Sequence, residues 1–257
     1  MDALGVIGVG ALARAMVLAL HRAWPDLVFH LSPRNALIAA QLQDAVGASV
    51  HGTNQQVADT CRTVIIGVRP AQLQSLAAEV RFSAHHQLWV LSAGTPLADL
   101  QSLFAPARVT RLMTGLAVEG GHSAISCHPP DAQVQALWQR ACAAVVPLED
   151  EAQFEASVLA VCANAWWLDQ LSAMTHWLVK HTGMAPEKAQ SLLTRNMADV
   201  AQMLALNPER SAADLARFIG SPGTYTGLGL VHLQATEAHQ PWQQALELVW
   251  ARMLAPK

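Results

Sequence analysis

The chain has 257 residues, 52% hydrophobic and 14% charged, which supplies a packed core and excludes a disordered chain. Sixteen basic against nineteen acidic side chains leave a formal charge of −3, and without a basic stripe the chain is a poor partner for nucleic acid. Residues 1–149 balance nine Arg against nine acids, while residues 150–257 hold seven basic and ten acidic residues and all three lysines, Lys180, Lys188 and Lys257.

The apolar run 3–20 ends near an A-x-A pattern, but Asp2 stands where a signal peptide has positive charge and Arg14 interrupts the run. Gly5, Gly8 and Gly10 suit a tight turn there. No other window reaches about 18 uncharged apolar residues, so no membrane span is expected. Cys61, Cys127, Cys142 and Cys162 show neither a CxxC pair nor a disulfide spacing and read as reduced, buried thiols of a cytoplasmic protein.

In chain order, strands are expected at Leu4–Val9, Leu27–Leu31, Thr63–Gly67, Gln87–Leu91 and Val109–Leu112, then near Ser123–Cys127 and Ala143–Pro147. Amphipathic helices are expected between several of them, at Leu12–Ala23, Ala36–Val46 and Ala71–Val80. Nearly continuous apolar strands alternating with helices imply an α/β domain whose parallel sheet is covered on both faces.

The pattern changes near Glu149–Glu151. This divides the chain into an α/β part, residues 1–149, and an all-α part, residues 150–257. Ala152–His181 reads as one long helix, apolar nearly all round and carrying Trp166, Trp167 and Trp177. Pro186 opens a helix to about Leu206, Ser211 caps another, and Gly229–Leu254 carries a last long one. A domain this small hides an all-apolar helix either in a Trp-rich monomer core or against a second subunit. The second option makes the protein a homodimer or a higher multiple of dimers.

Gly8-Val9-Gly10-Ala11-Leu12-Ala13 follows a strand and opens a helix, the G-x-G-x-x-A form of the dinucleotide fingerprint. Gly8 permits the turn, Gly10 admits a pyrophosphate close to the backbone, and Ala13 lets helix and strand pack. The first N–H groups of the helix would hold phosphate. The second strand ends in Leu31-Ser32-Pro33-Arg34-Asn35, without the acid that accepts from a ribose 2′-hydroxyl. Ser32 and Arg34 donate instead, which favours a 2′-phosphate and so NADP(H) over NAD. The alternative is a surface turn with Arg34 merely solvated.

With these motifs the chain resembles the pyrroline-5-carboxylate reductase family. Besides the glycine loop and the Ser32–Arg34 turn, Asn54 in Asn54-Gln55-Gln56-Val57 resembles that family's cofactor-contacting asparagine. Val64-Ile65-Ile66-Gly67-Val68-Arg69-Pro70 resembles the strand ending in Val-Lys-Pro, placing Val68, Arg69 and Pro70 beside the nicotinamide. Leu91-Ser92-Ala93-Gly94 resembles the next strand end, with Ser92, Ala93 and Gly94 facing the cofactor. Ser221-Pro222-Gly223-Thr224-Tyr225-Thr226 stands where the family has Ser-Pro-Gly-Gly-Thr-Thr, with Gly229-Leu230 following in register.

The resemblance implies a Rossmann domain, a helical dimerisation domain whose partner subunit completes the active site, and NADPH-dependent reduction of the C=N bond of 1-pyrroline-5-carboxylate to proline. The substrate carboxylate would meet Ser221, Gly223, Thr224, Tyr225 and Thr226. Ser221 could equally be a helix cap. Tyr225, the single tyrosine, either donates to the imine nitrogen or only narrows the pocket, and Thr226 is the threonine kept from the family pattern.

Besides the late motif, where Thr224 replaces a glycine and Tyr225 a threonine, two stretches depart from the family. Arg111-Leu112-Met113-Thr114-Gly115 lacks the proline and asparagine of Arg-x-Met-Pro-Asn, and Val161-Cys162-Ala163-Asn164-Ala165 replaces a Ser-Gly-Ser-Gly-Pro-Ala run. These departures leave open a reductase of another imine or a ketone, and a non-catalytic NADP-binding protein. Lys180 lies too near the far end of its helix for a β-hydroxyacid dehydrogenase. The eleven histidines show no metal-ligand spacing, so no metal is expected.

Overall fold

The computed structural model describes residues 1–254. It divides into two compact units, one of Met1–Val161 joined by the segment from Met253, the other Cys162–Arg252.

The first unit is built on an eight-stranded sheet. Its strands are β1 (Ala3–Ile7), β2 (Val28–Leu31), β3 (Ser49–Val50), β4 (Thr63–Ile66), β5 (Gln87–Val90), β6 (Arg108–Thr114), β7 (Ala124–His128) and β8 (Ala144–Pro147), in the order β3-β2-β1-β4-β5-β6-β7-β8. The helices are α1 (Ala11–Ala23), α2 (Ala36–Val46), α3 (Asn54–Thr60), α4 (Leu73–Glu79), α5 (Leu97–Leu103) and α6 (Ala132–Trp138). Side chains alternate between two cores. Val6, Ile65, Trp89 and Leu112 join α1 on one face, while Ile7, Val64, Ile66, Leu88 and Val90 join α3 and α5 residues on the other. Burial on both faces is why the strands read as unbroken apolar runs.

The parallel expectation holds for every neighbouring pair except β6 and β7, which run antiparallel from Arg111↔His128 to Thr114↔Ile125. Only a 3₁₀ turn, Leu116–Gly120, lies between them, and a link that short returns the chain without a helical crossover. The edge strand β3 has two residues, too few to show a period in sequence. The expected helix Ala71–Val80 is a 3₁₀ turn, Pro70–Gln72, followed by α4.

α7 (Glu151–Thr182) is 32 residues long. Its start packs with the first unit, where Phe154 and Val158 form a small core with Met113. The second unit holds the rest of α7 and α8 (Pro186–Leu206), α9 (Ala212–Ile219), α10 (Tyr225–Ala235) and most of α11 (Gln240–Leu254). Pro186 opens α8, and Ser211 caps α9 by accepting from Asp214 N–H.

The single helix expected over Gly229–Leu254 is instead two. α10 stops at Ala235, Glu237 takes φ +50°, and α11 restarts at Gln240 with Pro241 in its first turn. Proline lacks the N–H that a continuous helix needs and disfavours helical backbone in the residue before it.

In this unit the buried apolar side chains among the described residues are Leu171, Ala189 and Leu215. Trp167 packs on Trp242 with ring centroids 4.4 Å apart yet remains 49% exposed, and Leu168 and Trp177 are 67% and 57% exposed. The full burial that the apolar sequence of α7 calls for is not met within one chain.

Candidate functional site

The order of the sheet reverses between β1 and β4, and open α/β sheets bind ligands outside the carboxyl ends of strands at such a point. The glycine loop lies there. Gly8 has φ +89°, and a Cβ on it would come 2.6 Å from Val68 N, while one on Gly67 would come 2.6 Å from Gly8 O. The backbones of the two strand ends therefore meet closely, with the Val68 side chain beside them. A Cβ on Gly67 would also lie 3.4 Å from the Cβ of Ala13, which is buried where α1 starts.

Around Gly10 the opposite holds, since a Cβ would meet nothing within 4 Å. Gly10 is the N-cap of α1, no side chain caps the helix, and its first turn has no acid. Its unsatisfied N–H groups, including those of Ala11, Leu12 and Ala13, open onto the space beside Gly10, an arrangement that fits a pyrophosphate.

Ser32, at the end of β2, is fully buried, and its Oγ accepts from Gly8 N–H at 3.1 Å. The hydroxyl expected to meet a 2′-phosphate thus also braces the glycine loop as an acceptor, a role that does not use its own O–H. Asn35, which the sequence reading passed over, has φ +62°, caps α2 and donates from Nδ2 to Val9 O at 3.1 Å. It ties the β2 turn to the loop.

Arg34 is half-exposed and faces Glu79, with NH2 3.3 Å from Oε2. Glu79 Oε1 accepts from Asn54 Nδ2 at 2.9 Å. Asn54 is buried at the start of α3, where Thr53 is the N-cap, and its Oδ1 is buried without a hydrogen-bond partner. That orphaned acceptor beside the 2′ corner is where a donor from a bound nucleotide would be satisfied. Sequence spacing could not reveal Glu79, because it comes from another helix 45 residues beyond Arg34.

One strand further, His30 Nδ1 lies 2.9 Å from His51 Nε2. Burial, then the neighbouring His51, lowers the His30 pKa.

Val68 is buried behind the loop, and Arg69 and Pro70 are exposed at the end of β4. Beyond β5, Ser92 Oγ lies 2.9 Å from Thr95 Oγ1, followed by the half-buried Ala93 and Gly94. The Ser92 carbonyl accepts from Arg111 NH2 at 3.0 Å. Arg111 is fully buried, pairs with Glu151 and with Glu155 at 2.7 Å, and stacks 4.2 Å from the Phe154 ring centre. Glu151 Oε2 also accepts from Leu97 N–H at 3.2 Å. This charged cluster fixes the loop after β5 to the start of α7. The sequence shows Arg111 in a motif but not its carboxylate partners, the part-exposed Glu151 and the buried Glu155.

The late motif lies in the second unit. Thr224, not Ser221, is the N-cap of α10. Its Oγ1 accepts from Gly227 N–H at 2.9 Å and donates to Ser221 O at 2.7 Å. The Thr224 hydroxyl is thus occupied by the fold, leaving Gly223 with φ +82°, Tyr225 at 96% exposure and an exposed Thr226 at the helix entrance. Gly227, unremarked in sequence, has no room for a side chain, since a Cβ would lie 2.4 Å from Ser221 O.

Among the described residues no group of three or more His, Cys, Asp or Glu could hold a metal ion, and no helix is long and apolar enough to cross a membrane. Cys61, Cys127, Cys142 and Cys162 are free thiols, but only Cys61 and Cys127 are buried as expected; Cys142 and Cys162 are partly exposed.

Sheet order, glycine cradle and helical second unit define a Rossmann-type dinucleotide-binding fold followed by an all-α domain. Residues 3–96 match the family model described as NADP oxidoreductase, coenzyme F420-dependent, and residues 151–254 match that of pyrroline-5-carboxylate reductase dimerisation. Together the two matches support a member of the pyrroline-5-carboxylate reductase family, an NAD(P)-dependent oxidoreductase.

Comparison with curated proteins gives no match. Among solved structures the chain is similar to 1-pyrroline-5-carboxylate reductase from Streptococcus pyogenes, at TM-score 0.82 and 18% identity, covering 98% of this chain and 97% of that one. It is also similar to a pyrroline carboxylate reductase from Plasmodium falciparum with NADP bound, at TM-score 0.82 and 15% identity over 98% and 97%. A reductive aminase from Aspergillus terreus in complex with NADPH is more distant, at TM-score 0.60 and 20% identity over 81% and 76%. At these identities the likeness speaks for the fold.

Proposed function

We propose that this chain is an NADPH-dependent reductase of a C=N bond, acting on 1-pyrroline-5-carboxylate to give proline as a cytoplasmic homodimer or multiple of dimers. The observation that carries this reading is the cradle of Gly8, Gly10 and Gly67 at the head of the uncapped helix α1, with Arg34 where an NAD site has an acid. Family membership supplies the reaction class. When bound, the dinucleotide supplies a hydride for the imine carbon; the nitrogen takes a proton, and C=N becomes CH–NH.

The protein's own contribution is placement. The first-turn N–H groups of α1 hold the pyrophosphate, Arg34 meets the 2′-phosphate, and the strand ends Val68–Pro70 and Ser92–Gly94 hold the nicotinamide. At the start of α10, Gly223 and Thr226 offer N–H and hydroxyl donors to the substrate carboxylate. Ser221 and Thr224 shape that turn from within. Tyr225 presents a free-standing phenol that donates to the imine nitrogen. The exposed apolar faces of α7, α8 and α10 support a second copy as partner, and the four free cysteines suit a reducing compartment.

Tyr225 in place of the family threonine also supports a second reading, the same chemistry on a different cyclic imine. Steady-state rates of NADPH oxidation on 1-pyrroline-5-carboxylate and a panel of cyclic imines separate the two. On the true substrate Tyr225→Phe should lower kcat about 10²–10⁴-fold and Thr226→Val should raise KM. Two variants as active as the parent would place the substrate contacts elsewhere.

A further inference from the structure

The nucleotide corner of the first unit contains a carboxylate that the proposed NADPH site does not need. Glu79 ends α4 and reaches both Arg34, expected at the 2′-phosphate, and Asn54, expected to contact the cofactor, with Oε2 3.3 Å from Arg34 NH2 and Oε1 2.9 Å from Asn54 Nδ2. Arg34 is the cation nearest the end of β2, where Rossmann sites read the 2′ substituent. In the free protein that guanidinium is already paired. A 2′-phosphate would have to share Arg34 with Glu79 and tolerate a like charge beside it. A 2′-hydroxyl would find the acceptor that the β2 turn itself lacks.

We propose that Glu79 is a nucleotide-specificity residue. It opposes the 2′-phosphate that Arg34 attracts and accepts from a ribose 2′-hydroxyl, so the chain uses NADH as well as NADPH, with a modest preference for the phosphorylated form. This deepens the NADP(H) reading and rests on the nucleotide site that reading describes. The role is electrostatic and not structural, because a pair that exposed on both sides adds little to stability. Glu79→Gln is the sharp variant, since its amide oxygen still accepts from Asn54 while the charge is gone.

The test is a fluorescence titration of the full chain with NADPH and with NADH at one pH and ionic strength. Thermal melting serves as a check on folding. Glu79→Gln should tighten NADPH about tenfold and weaken NADH a few-fold, in line with the effect of a close charge at a binding site. Glu79→Ala should shift the ratio of the two dissociation constants in the same direction, which guards against a local defect of the Gln variant. A ratio that moves less than twofold in both variants overturns the proposal. So does weaker NADPH binding, because Glu79 would then be orienting Arg34 toward the phosphate. Failure of the native chain to bind either nucleotide removes this inference and the reductase reading together. A shifted ratio without turnover of any imine removes only the reductase reading.

Discussion

The two units solve the burial problem differently. In the first, each face of the sheet is covered by its own helices, and side chains as large as Trp89 and Trp138 are fully buried. In the second, helices rich in Leu, Met and Trp leave many of those side chains exposed, Trp167, Leu168 and Trp177 among them, and few apolar residues are buried among the described residues. The nucleotide-binding unit closes within one chain; the helical unit, which matches a dimerisation family model, leaves apolar side chains exposed. What differs is how much covering surface the chain itself provides, since both are apolar in sequence.

The substitution with the largest expected effect is Trp167→Glu. It places a charge on a face that needs a partner, at the ring already packed on Trp242. An unpaired charge at a buried interface costs about 3–5 kcal/mol, so the assembly should dissociate or the helical unit unfold, seen by sedimentation and circular dichroism. A variant that sediments and melts like the parent would erase the contrast between the units.

Next comes Gly8→Ala, which tests the self-contained unit. The new methyl meets backbone at 2.6 Å on a residue with φ +89°. The strain should cost about 1–3 kcal/mol of stability and abolish tight dinucleotide binding, read by calorimetry.

Arg34→Ala should leave the fold intact and weaken NADPH by about 1.5–3 kcal/mol, the range for a hydrogen bond to a charged group, with NADH hardly affected. Equal loss for both nucleotides would move the 2′ corner away from Arg34.

The smallest effect concerns His30. Its pKa is lowered by burial and by His51, so the folded chain favours the neutral ring. The resulting stabilisation is present above the ordinary histidine value of about 6.5 and is lost as pH falls through the lower folded value. Urea midpoints should fall between pH 7 and pH 5, less so in His51→Ala. An unchanged slope would remove the His30–His51 pair from the account.

The contrast between the units also governs what the sequence could reveal. The strand–helix alternation and the loop Gly8–Ala13 were legible because a sheet buried on both faces leaves unbroken apolar runs and a nucleotide turn leaves glycines. The N-terminal bounds of α2 and α8 follow from Asn35 and Pro186 in the same local way. The break at Glu237 has a local signal of the same kind in Pro241, which apolar periodicity taken alone does not register. Nor could the chain order announce pairs such as Arg34–Glu79, Arg111–Glu155 or Gly8–Ser32, because each joins residues that only the sheet brings together. Ser32 and Thr224 show the same limit. Their hydroxyls read as ligands in sequence, and the fold engages both.

The most direct test of the central claim, that this chain reduces a cyclic C=N bond with NADPH, follows the transferred hydrogen. NADPH deuterated at C4 of the nicotinamide, on either face in separate runs, is incubated with the protein and 1-pyrroline-5-carboxylate, and the product is read by mass spectrometry. The account predicts proline carrying one deuterium at the former imine carbon from one of the two labelled cofactors, with one NADPH consumed per proline formed. Unlabelled proline, or bound NADPH that no cyclic imine oxidises, would contradict it.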